Sequence, residues 1–151
     1  MTPVAVDITL PHLVVRGLRW GTGLPRRVLA LHGWLDNAAT FSRVGPLLAD
    51  AGVELLAIDL PGHGWSDHKP AGEVYHLLDS LIILDQVIEA LDWSAVTLLG
   101  HSLGGVLGLL YASTRPEWLA RLVVLDALGP LADDPASAPA NLARALSRIR
   151  L

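Results

Sequence analysis

Short, almost wholly apolar runs alternate along this chain with longer segments in which apolar residues recur at helical spacing. Four such runs, each followed by a polar residue or a glycine, cover residues 28–31, 53–58, 96–99 and 122–125. Continuous apolar runs of this length are typical of strands that are covered on both faces, as in a parallel sheet. We therefore predict four inner strands.

The segments between these runs are predicted helices, and they cover residues 41–51, 75–93 and 103–114. The predicted buried stripes are Phe41, Val44, Leu47, Leu48 and Ala51 in the first helix, and Leu78, Leu81, Ile82, Ile88 and Leu91 in the second. Either Thr40 or Asn37 is the expected N-cap of the first helix, and Gly52 is its expected end. Strands that alternate with helices form βαβ units, which predicts an α/β fold with helices on both faces of the sheet.

Both ends of the chain depart from this alternation. Residues 6–10 and 13–20 partly alternate apolar and polar positions on either side of a Pro-His pair, which predicts two antiparallel edge strands. From Gly129 the composition shifts to proline, alanine and aspartate, and a last helix is predicted over residues 141–150. Its apolar stripe comprises Leu142, Ala145, Leu146 and Ile149.

Composition excludes several classes of protein. The 151 residues are 52% hydrophobic with a net charge of only −4, so an intrinsically disordered chain is excluded and one domain, or two at most, is expected. The absence of cysteine excludes a disulfide scaffold and a cysteine metal site. The mildly acidic balance argues against nucleic acid as a partner, and the N-terminus lacks the features of a signal peptide, so we expect a cytoplasmic protein.

Two stretches invite alternative interpretations. Residues 93–114 carry no Asp, Glu, Lys or Arg and are long enough to cross a bilayer, but they contain four glycines with His101 and Ser102 in their middle. We favour a buried strand, a tight turn and a buried helix, and no membrane. The acidic side chains of Asp85, Glu89 and Asp92 could form a metal cluster, but a solvated helix face is the favoured interpretation.

Polar and glycine-rich clusters follow three of the predicted strands. They are His32-Gly33-Trp34, Asp59-Leu60-Pro61-Gly62-His63-Gly64 and Gly100-His101-Ser102-Leu103-Gly104-Gly105. Ligands bind at the carboxyl edge of an open parallel sheet, where these clusters are expected to meet. The last cluster matches G-x-S-x-G between a strand and a helix, which is the context of a nucleophile elbow.

The chemistry of such a turn explains its residue types. Ser102 would be held in an unfavourable backbone conformation that lifts its hydroxyl clear of the sheet. Gly100 and Gly104 are needed because a Cβ at either position would collide with a neighbouring strand or helix. The N-terminus of the following helix presents free N–H groups to a developing oxyanion.

Taken together and in this order, the three motifs resemble the α/β-hydrolase fold, and His32-Gly33-Trp34-Leu35-Asp36-Asn37 resembles the serine hydrolase-like branch of that superfamily. The resemblance covers residue 4 to about residue 130. It implies a three-layer sandwich with a mostly parallel sheet that lacks its last strands. Residues 1–130 would form the N-terminal part of the hydrolase core, and residues 131–151 the truncated start of a cap.

The resemblance also implies roles for individual residues. Ser102 matches the nucleophile, and the backbone N–H groups of Trp34 and Leu103 match the oxyanion hole. Supporting positions are His32, Gly33, Gly100, His101 and Gly104. Among them, His32 would order the oxyanion loop through backbone hydrogen bonds.

The remaining triad members are not found at the expected place. In this fold the chain order is serine, acid and then histidine, and no histidine follows Ser102. The acids that follow it are Glu117, Asp126, Asp133 and Asp134. Asp126 ends the fourth run and is either the catalytic acid or a structural carboxylate. His101 adjoins Ser102 too closely to be the base, and His63 and His68 receive no catalytic role.

The implied function is hydrolysis of a small acyl ester through an acyl-enzyme, with inactivity or very weak activity of residues 1–151 because the histidine is absent. An apolar acyl group is expected, and neither a metal nor an organic cofactor is implied. The alternative is a non-catalytic module that binds a ligand or completes a partner chain. An exposed apolar edge beside the fourth strand predicts self-association or pairing with a complementary chain.

Overall fold

A six-stranded sheet, ordered β1-β2-β4-β3-β5-β6, lies at the centre of the fold. The computed structural model describes residues 1–127 and 134–148. The strands are β1 (Val4–Thr9), β2 (Val14–Trp20), β3 (Arg26–Leu31), β4 (Val53–Ile58), β5 (Val96–His101) and β6 (Leu119–Leu125). The last four are mutually parallel, whereas β1 and β2 pair antiparallel with their neighbours. The predicted inner strands and antiparallel edge strands are therefore confirmed.

Helices cover both faces of this sheet. They are α1 (Val44–Asp50), α2 (Leu77–Leu91), α3 (Leu103–Thr114) and α4 (Ala138–Arg148), with short 3-10 helices at Ala38–Ser42, Pro116–Trp118 and Pro135–Ser137. Side chains of α2 and α3 share one apolar core with the sheet, and Ala49 of α1 shares the other. The structure thus confirms the predicted three-layer α/β arrangement.

The inner strands are largely apolar because successive side chains of a strand point to opposite cores. In β3, Leu29 and Leu31 enter the core beneath α2 and α3, whereas Ala30 enters the core beneath α1. All three side chains are fully buried. This two-sided burial anchors the carboxyl ends of the inner strands, from which the candidate site projects.

The first predicted stripe is wrong at two of its positions. Asn37 is the N-cap of the 3-10 helix, which ends at Ser42 before α1 begins, so the helical phase breaks between the two elements. Leu47 is consequently 67% exposed and Ala51 also faces solvent, while Ala49 is buried in their place.

The second predicted stripe is also wrong at two of its positions. Leu78 and Ile82 are exposed, whereas Leu84 and Val87 join Ile88 in the core. The acidic face of this helix is not wholly solvated either. The Tyr111 hydroxyl donates a hydrogen bond to the Asp85 carboxylate at 2.9 Å, which joins α2 to α3, and burial together with this bond raises the pKa of Tyr111.

The later elements leave apolar side chains exposed. At the outer edge of the sheet, Val123 and Leu125 of β6 are 44% and 46% exposed. On α4, Leu142 and Leu146 face solvent, and the predicted position Ile149 lies outside the described residues. Within residues 1–127 and 134–148, no helix has both the length and the apolar character that crossing a bilayer requires.

Candidate functional site

The candidate site lies where the order of strands reverses. The chain passes from β3 to its neighbour β4 and then crosses to β5 on the other side of β3. Ligands bind at such switch points, outside the carboxyl ends of the strands. Segments 32–36, 59–66 and Ser102 directly follow β3, β4 and β5, so the structure gathers the three predicted clusters at one edge.

Ser102 occupies a strained turn between β5 and α3. Its φ is +49° and its ψ is −112°. Residues other than glycine rarely adopt this combination, which costs about 1–3 kcal/mol. The Ser102 N–H donates to the Leu125 carbonyl oxygen of β6 at 3.0 Å, and its own carbonyl accepts from the Val106 N–H at 3.0 Å. Hydrogen bonds to β6 and to α3 therefore hold the turn in place.

Two glycines allow strand and helix to approach each other at this turn. A Cβ on Gly100 would lie 2.4 Å from the carbonyl oxygen of Gly104, and a Cβ on Gly104 would lie 2.3 Å from the carbonyl oxygen of Leu31. Gly33 packs similarly, because a Cβ there would lie 3.0 Å from Nδ1 of His101 and 3.5 Å from Cβ of Ser102. The steric reason predicted for Gly100 and Gly104 is thus confirmed, and Gly33 brings the turn after β3 against Ser102.

A β-turn follows β3 and contains the predicted oxyanion donor Trp34. The Asp36 N–H donates to the Gly33 carbonyl oxygen at 3.3 Å, and the Leu35 N–H donates to Nε2 of His63 at 3.3 Å. Within residues 1–127 and 134–148, the Trp34 N–H and the Leu103 N–H meet no acceptor. The two predicted oxyanion donors are therefore available for a ligand.

His32 bonds only to backbone groups, as the sequence led us to expect. Its Nε2 accepts from the Leu60 N–H at 2.9 Å, and its Nδ1 lies 2.7 Å from the Gly33 carbonyl oxygen. Since an acceptor nitrogen must lack a proton, the neutral ring carries its proton on Nδ1 and donates it to Gly33. The ring is completely buried, and burial lowers its pKa below the ordinary 6.5.

This depressed pKa predicts a loss of stability in mild acid. The unfolded chain binds a proton at His32 near pH 6.5, whereas the folded chain does so only at lower pH. Stability contributed by the neutral ring is therefore complete above that pH and falls below it, by at most about 1.4 kcal/mol per pH unit. Urea unfolding at pH 7, 6 and 5 measures the slope.

Replacement of His32 by Gln should flatten this slope, whereas replacement of the exposed His12 should leave it unchanged. The carboxylates of Asp67 and Asp79 do not contribute in this window, because hydrogen bonds from Arg16 and Lys69 hold their pKa values below 3.8. Their contribution is lost only at lower pH. An unchanged slope in His32→Gln would contradict the assignment.

The buried carboxylate of Asp59 ties the loop after β4 to the 3-10 helix that begins at Ala38. Oδ1 of Asp59 accepts from the Ala38 N–H at 2.6 Å, and Oδ2 accepts from the Trp65 N–H at 2.8 Å. Gly64 lies directly over this carboxylate, where a Cβ would be 2.2 Å from it. Asp59 thus has a structural role, since both of its carboxylate oxygens bond to backbone N–H groups.

An apolar cavity of about 260 Å³ opens beside the turn and the start of α3. Residues that line it include Trp34, Leu35, Pro61, Tyr75, Leu77 and Leu103. Its volume lies just below the range of ligand pockets, which is about 300–1,000 Å³. The Trp34 indole is 64% exposed, so it forms a rim of this cavity rather than part of the core.

The four acids that follow Ser102 in the sequence differ in where they lie. Asp126 follows β6 at the same edge with a φ of +52°, but its exposed carboxylate bonds to no other described residue. Glu117 precedes β6 and therefore lies at the opposite edge. Asp134 caps a 3-10 helix through the Ala136 N–H, and Asp133 lies outside the described residues.

The sequence did not reveal the contact made by His63. Its ring lies 5.0 Å from that of His32 and 5.9 Å from that of Trp34, between centroids. Nothing local to the Gly-His-Gly segment indicates this contact, because it depends on how the loops after β3 and β4 meet. His68 and His12 are exposed.

Comparison with known proteins agrees with this geometry. A family described as "alpha/beta hydrolase fold" matches residues 26–148. The chain is 42% identical over 125 residues to a "Probable serine hydrolase" of Drosophila melanogaster. These residues cover 82% of this chain and 38% of that protein. It is also 42% identical over 121 residues to a human "Serine hydrolase-like protein", covering 80% of this chain and 59% of that one.

A solved structure shows the same arrangement. The crystal structure of a hypothetical protein from Pseudomonas aeruginosa PAO1 superposes with a TM-score of 0.85 at 40% identity, covering 95% of this chain and 51% of that one. The chain thus spans less than two thirds of the length of these proteins.

Proposed function

The chain belongs to the α/β-hydrolase fold family, in its serine hydrolase-like branch, and from this premise we propose that it supplies the nucleophile and oxyanion hole of an acyl-ester hydrolase. The observation that carries the proposal is the strained turn at Ser102, which Gly33 approaches closely, while the Trp34 and Leu103 N–H groups meet no acceptor in the described part of the chain. A residue with a purely structural role gains nothing from that strain.

The proposed reaction uses Ser102 as the nucleophile. Its Oγ attacks the carbonyl carbon of the ester while its proton passes to a general base, and the carbonyl electrons move onto oxygen. The N–H groups of Trp34 and Leu103 stabilise that oxyanion. Collapse expels the alcohol, which takes a proton from the base, and water then hydrolyses the acyl-enzyme by the same steps.

His32 and His63, in the segments after β3 and β4, are not the general base. His32 and His63 each use both ring nitrogens in hydrogen bonds with the backbone. Neither can accept the Ser102 proton without losing such a bond. In this fold the base follows the nucleophile in chain order, and no histidine follows Ser102 in residues 1–151, so we propose that the base lies outside them. Residues 1–151 alone would then be inactive or very weakly active.

The cavity supports an ester with a small apolar acyl group. Its walls are largely carbon, from the side chains of Trp34, Tyr75 and Leu77 among others. Leu103 lines the cavity and also supplies one proposed oxyanion N–H, so an acyl chain in the cavity would extend from a carbonyl held at that group. Burial of its methylenes would stabilise binding.

A second candidate function is a non-catalytic module that completes a partner chain. The exposed Val123 and Leu125 at the outer edge of β6 favour it, because an unpaired apolar edge is a template for another strand. The strain at Ser102 argues against it, since a module that only binds has no use for a projected hydroxyl.

Labelling with a fluorophosphonate probe tests the hydrolase proposal. Enzymes that lack a triad member retain catalysis about 10³–10⁴-fold above water through the oxyanion hole and binding, so slow phosphonylation is expected without the base. Added imidazole can replace the base and should accelerate it. Mass spectrometry of peptides should locate the adduct on Ser102.

The variants for this test are Ser102→Ala, which should not be labelled, and Ser113→Ala, which should behave as wild type. Ser113 lies on α3 and donates to the Leu110 carbonyl oxygen, so it is a matched exposed serine. Labelling that persists in Ser102→Ala, or that is spread over several serines, would refute the proposed nucleophile.

A further inference from the structure

Two histidine rings connect the loop after β4 to the turn after β3. His32 receives a hydrogen bond from the Leu60 N–H, and its Nδ1 bonds to the Gly33 carbonyl oxygen at 2.7 Å. His63 receives a hydrogen bond from the Leu35 N–H at 3.3 Å, and its Nδ1 lies 3.2 Å from the Pro61 carbonyl oxygen. In each ring Nε2 therefore accepts from the other segment, whereas Nδ1 bonds within the segment of the ring itself.

The protonation of His63 follows from these partners. Nε2 accepts a hydrogen bond and carries no proton, so the neutral ring is protonated on Nδ1 and donates to Pro61. Both nitrogens are thus occupied, as they are in His32. The tilt of 55° between the two rings lets them pack at 5.0 Å while their nitrogens reach different peptide groups.

The two histidines hold successive peptide planes on either side of Trp34. His32 holds the carbonyl oxygen of the Gly33–Trp34 peptide, and in a trans peptide the Trp34 N–H points the opposite way. His63 holds the N–H of the Trp34–Leu35 peptide. Fixing both planes fixes the backbone dihedrals of Trp34, and hence the direction of its unpaired N–H.

The turn depends on such restraints. Leu35 has a φ of +57°, a conformation that leucine rarely adopts, and its side chain is 79% exposed. Trp34 is also largely exposed, so burial of apolar surface does little to hold either residue. Among the described residues, the only side chain that bonds to the Leu35 N–H is His63.

We propose that His63 is a positioning residue that aims the Trp34 N–H at the oxyanion by holding the Leu35 N–H. His63 also lines the cavity, but its proposed effect on the reacting atoms passes through the turn. The inference rests on the proposed function, because it gives the Trp34 N–H its task. It predicts that the requirement at position 63 is a hydrogen-bond acceptor rather than an aromatic ring.

Three variants separate these requirements. His63→Phe keeps a ring but removes the acceptor, whereas His63→Gln removes the ring and keeps an acceptor oxygen. His68→Phe is the matched control, an exposed histidine of the same loop. If His63→Phe does not fold, His63→Ala supplies the same comparison without the added bulk.

Two readouts are measured on each folded variant. The first is the rate of fluorophosphonate labelling at Ser102 in the presence of imidazole, and the second is hydrogen exchange of the Leu35 amide by NMR. In His63→Phe we expect labelling to slow about 10-fold, which is less than the 10²–10³-fold effect of deleting an oxyanion donor. The Leu35 amide should exchange faster. His63→Gln should recover most of both, and His68→Phe should match wild type.

The outcomes distinguish this inference from the function on which it rests. If wild type labels at Ser102 and His63→Phe labels equally fast, His63 does not position the turn for the reaction. Equal slowing in His63→Gln and His63→Phe would also overturn it, because the acceptor would then be irrelevant. If wild type does not label at Ser102, the proposed function fails, and the Leu35 amide still reports whether His63 holds the turn.

Discussion

Replacement of Gly104 by alanine is expected to destabilise the fold by about 3 kcal/mol, because extra atoms in a packed interior force backbone shifts. The added Cβ would lie 2.3 Å from the carbonyl oxygen of Leu31 and 2.6 Å from its Cβ. The backbone of a central strand cannot withdraw, because β3 is paired on both sides. Urea unfolding followed by circular dichroism measures the loss.

Gly108 provides a matched control on the same helix. A Cβ there would meet only the side chain of Leu122, 2.7 Å from its terminal Cδ1, which can rotate away. Alanine also favours a helix interior over glycine by up to about 1 kcal/mol. Gly108→Ala should therefore keep or raise stability. Equal losses in the two variants, or none in Gly104→Ala, would contradict the close approach of α3 to β3.

Replacement of Asp59 by alanine is expected to cost about 2–4 kcal/mol, because a buried donor left without its partner costs roughly 1–3 kcal/mol. The substitution deprives the Ala38 N–H and the Trp65 N–H of their acceptor together. It would also loosen the loop after β4 from the segment after β3. Chemical unfolding measures the cost.

Asp7→Ala is the control for this prediction. Asp7 lies on the edge strand β1, and its side chain is 65% exposed and lies 3.7 Å from Nε of Arg16. Exposed ion pairs contribute little, so its loss should hardly change the unfolding midpoint. If Asp59→Ala were equally mild, the carboxylate would not be the main link between the two segments.

The strands were predictable because burial on both faces leaves a direct mark on the sequence. No residue of the run at 28–31 is polar, and the structure buries Leu29, Ala30 and Leu31 completely. The turn at Ser102 was predictable for a similar reason. Gly100 and Gly104 are steric requirements of that geometry, and such requirements are visible as residue types at fixed spacing.

What could not be predicted depends on a local break in helical phase or on elements that are distant in sequence. The exposure of Leu47 follows from a break between a 3-10 helix and α1, which periodicity alone does not show. The bond between Asp85 and Tyr111 joins two helices through residues that are 26 positions apart. His63 likewise meets Leu35 only because the sheet places β3 beside β4, and a solitary histidine between glycines carries no sign of that.

The backbone at position 102 has a consequence for how this scaffold can change. Its φ of +49° and ψ of −112° are set by β5, α3 and the carbonyl of Leu125, not by the hydroxyl. Serine, cysteine and aspartate would all meet the same conformational penalty there. Exchange of one reactive group for another at this point is therefore nearly neutral for folding, so the type of chemistry can diversify while the architecture stays the same.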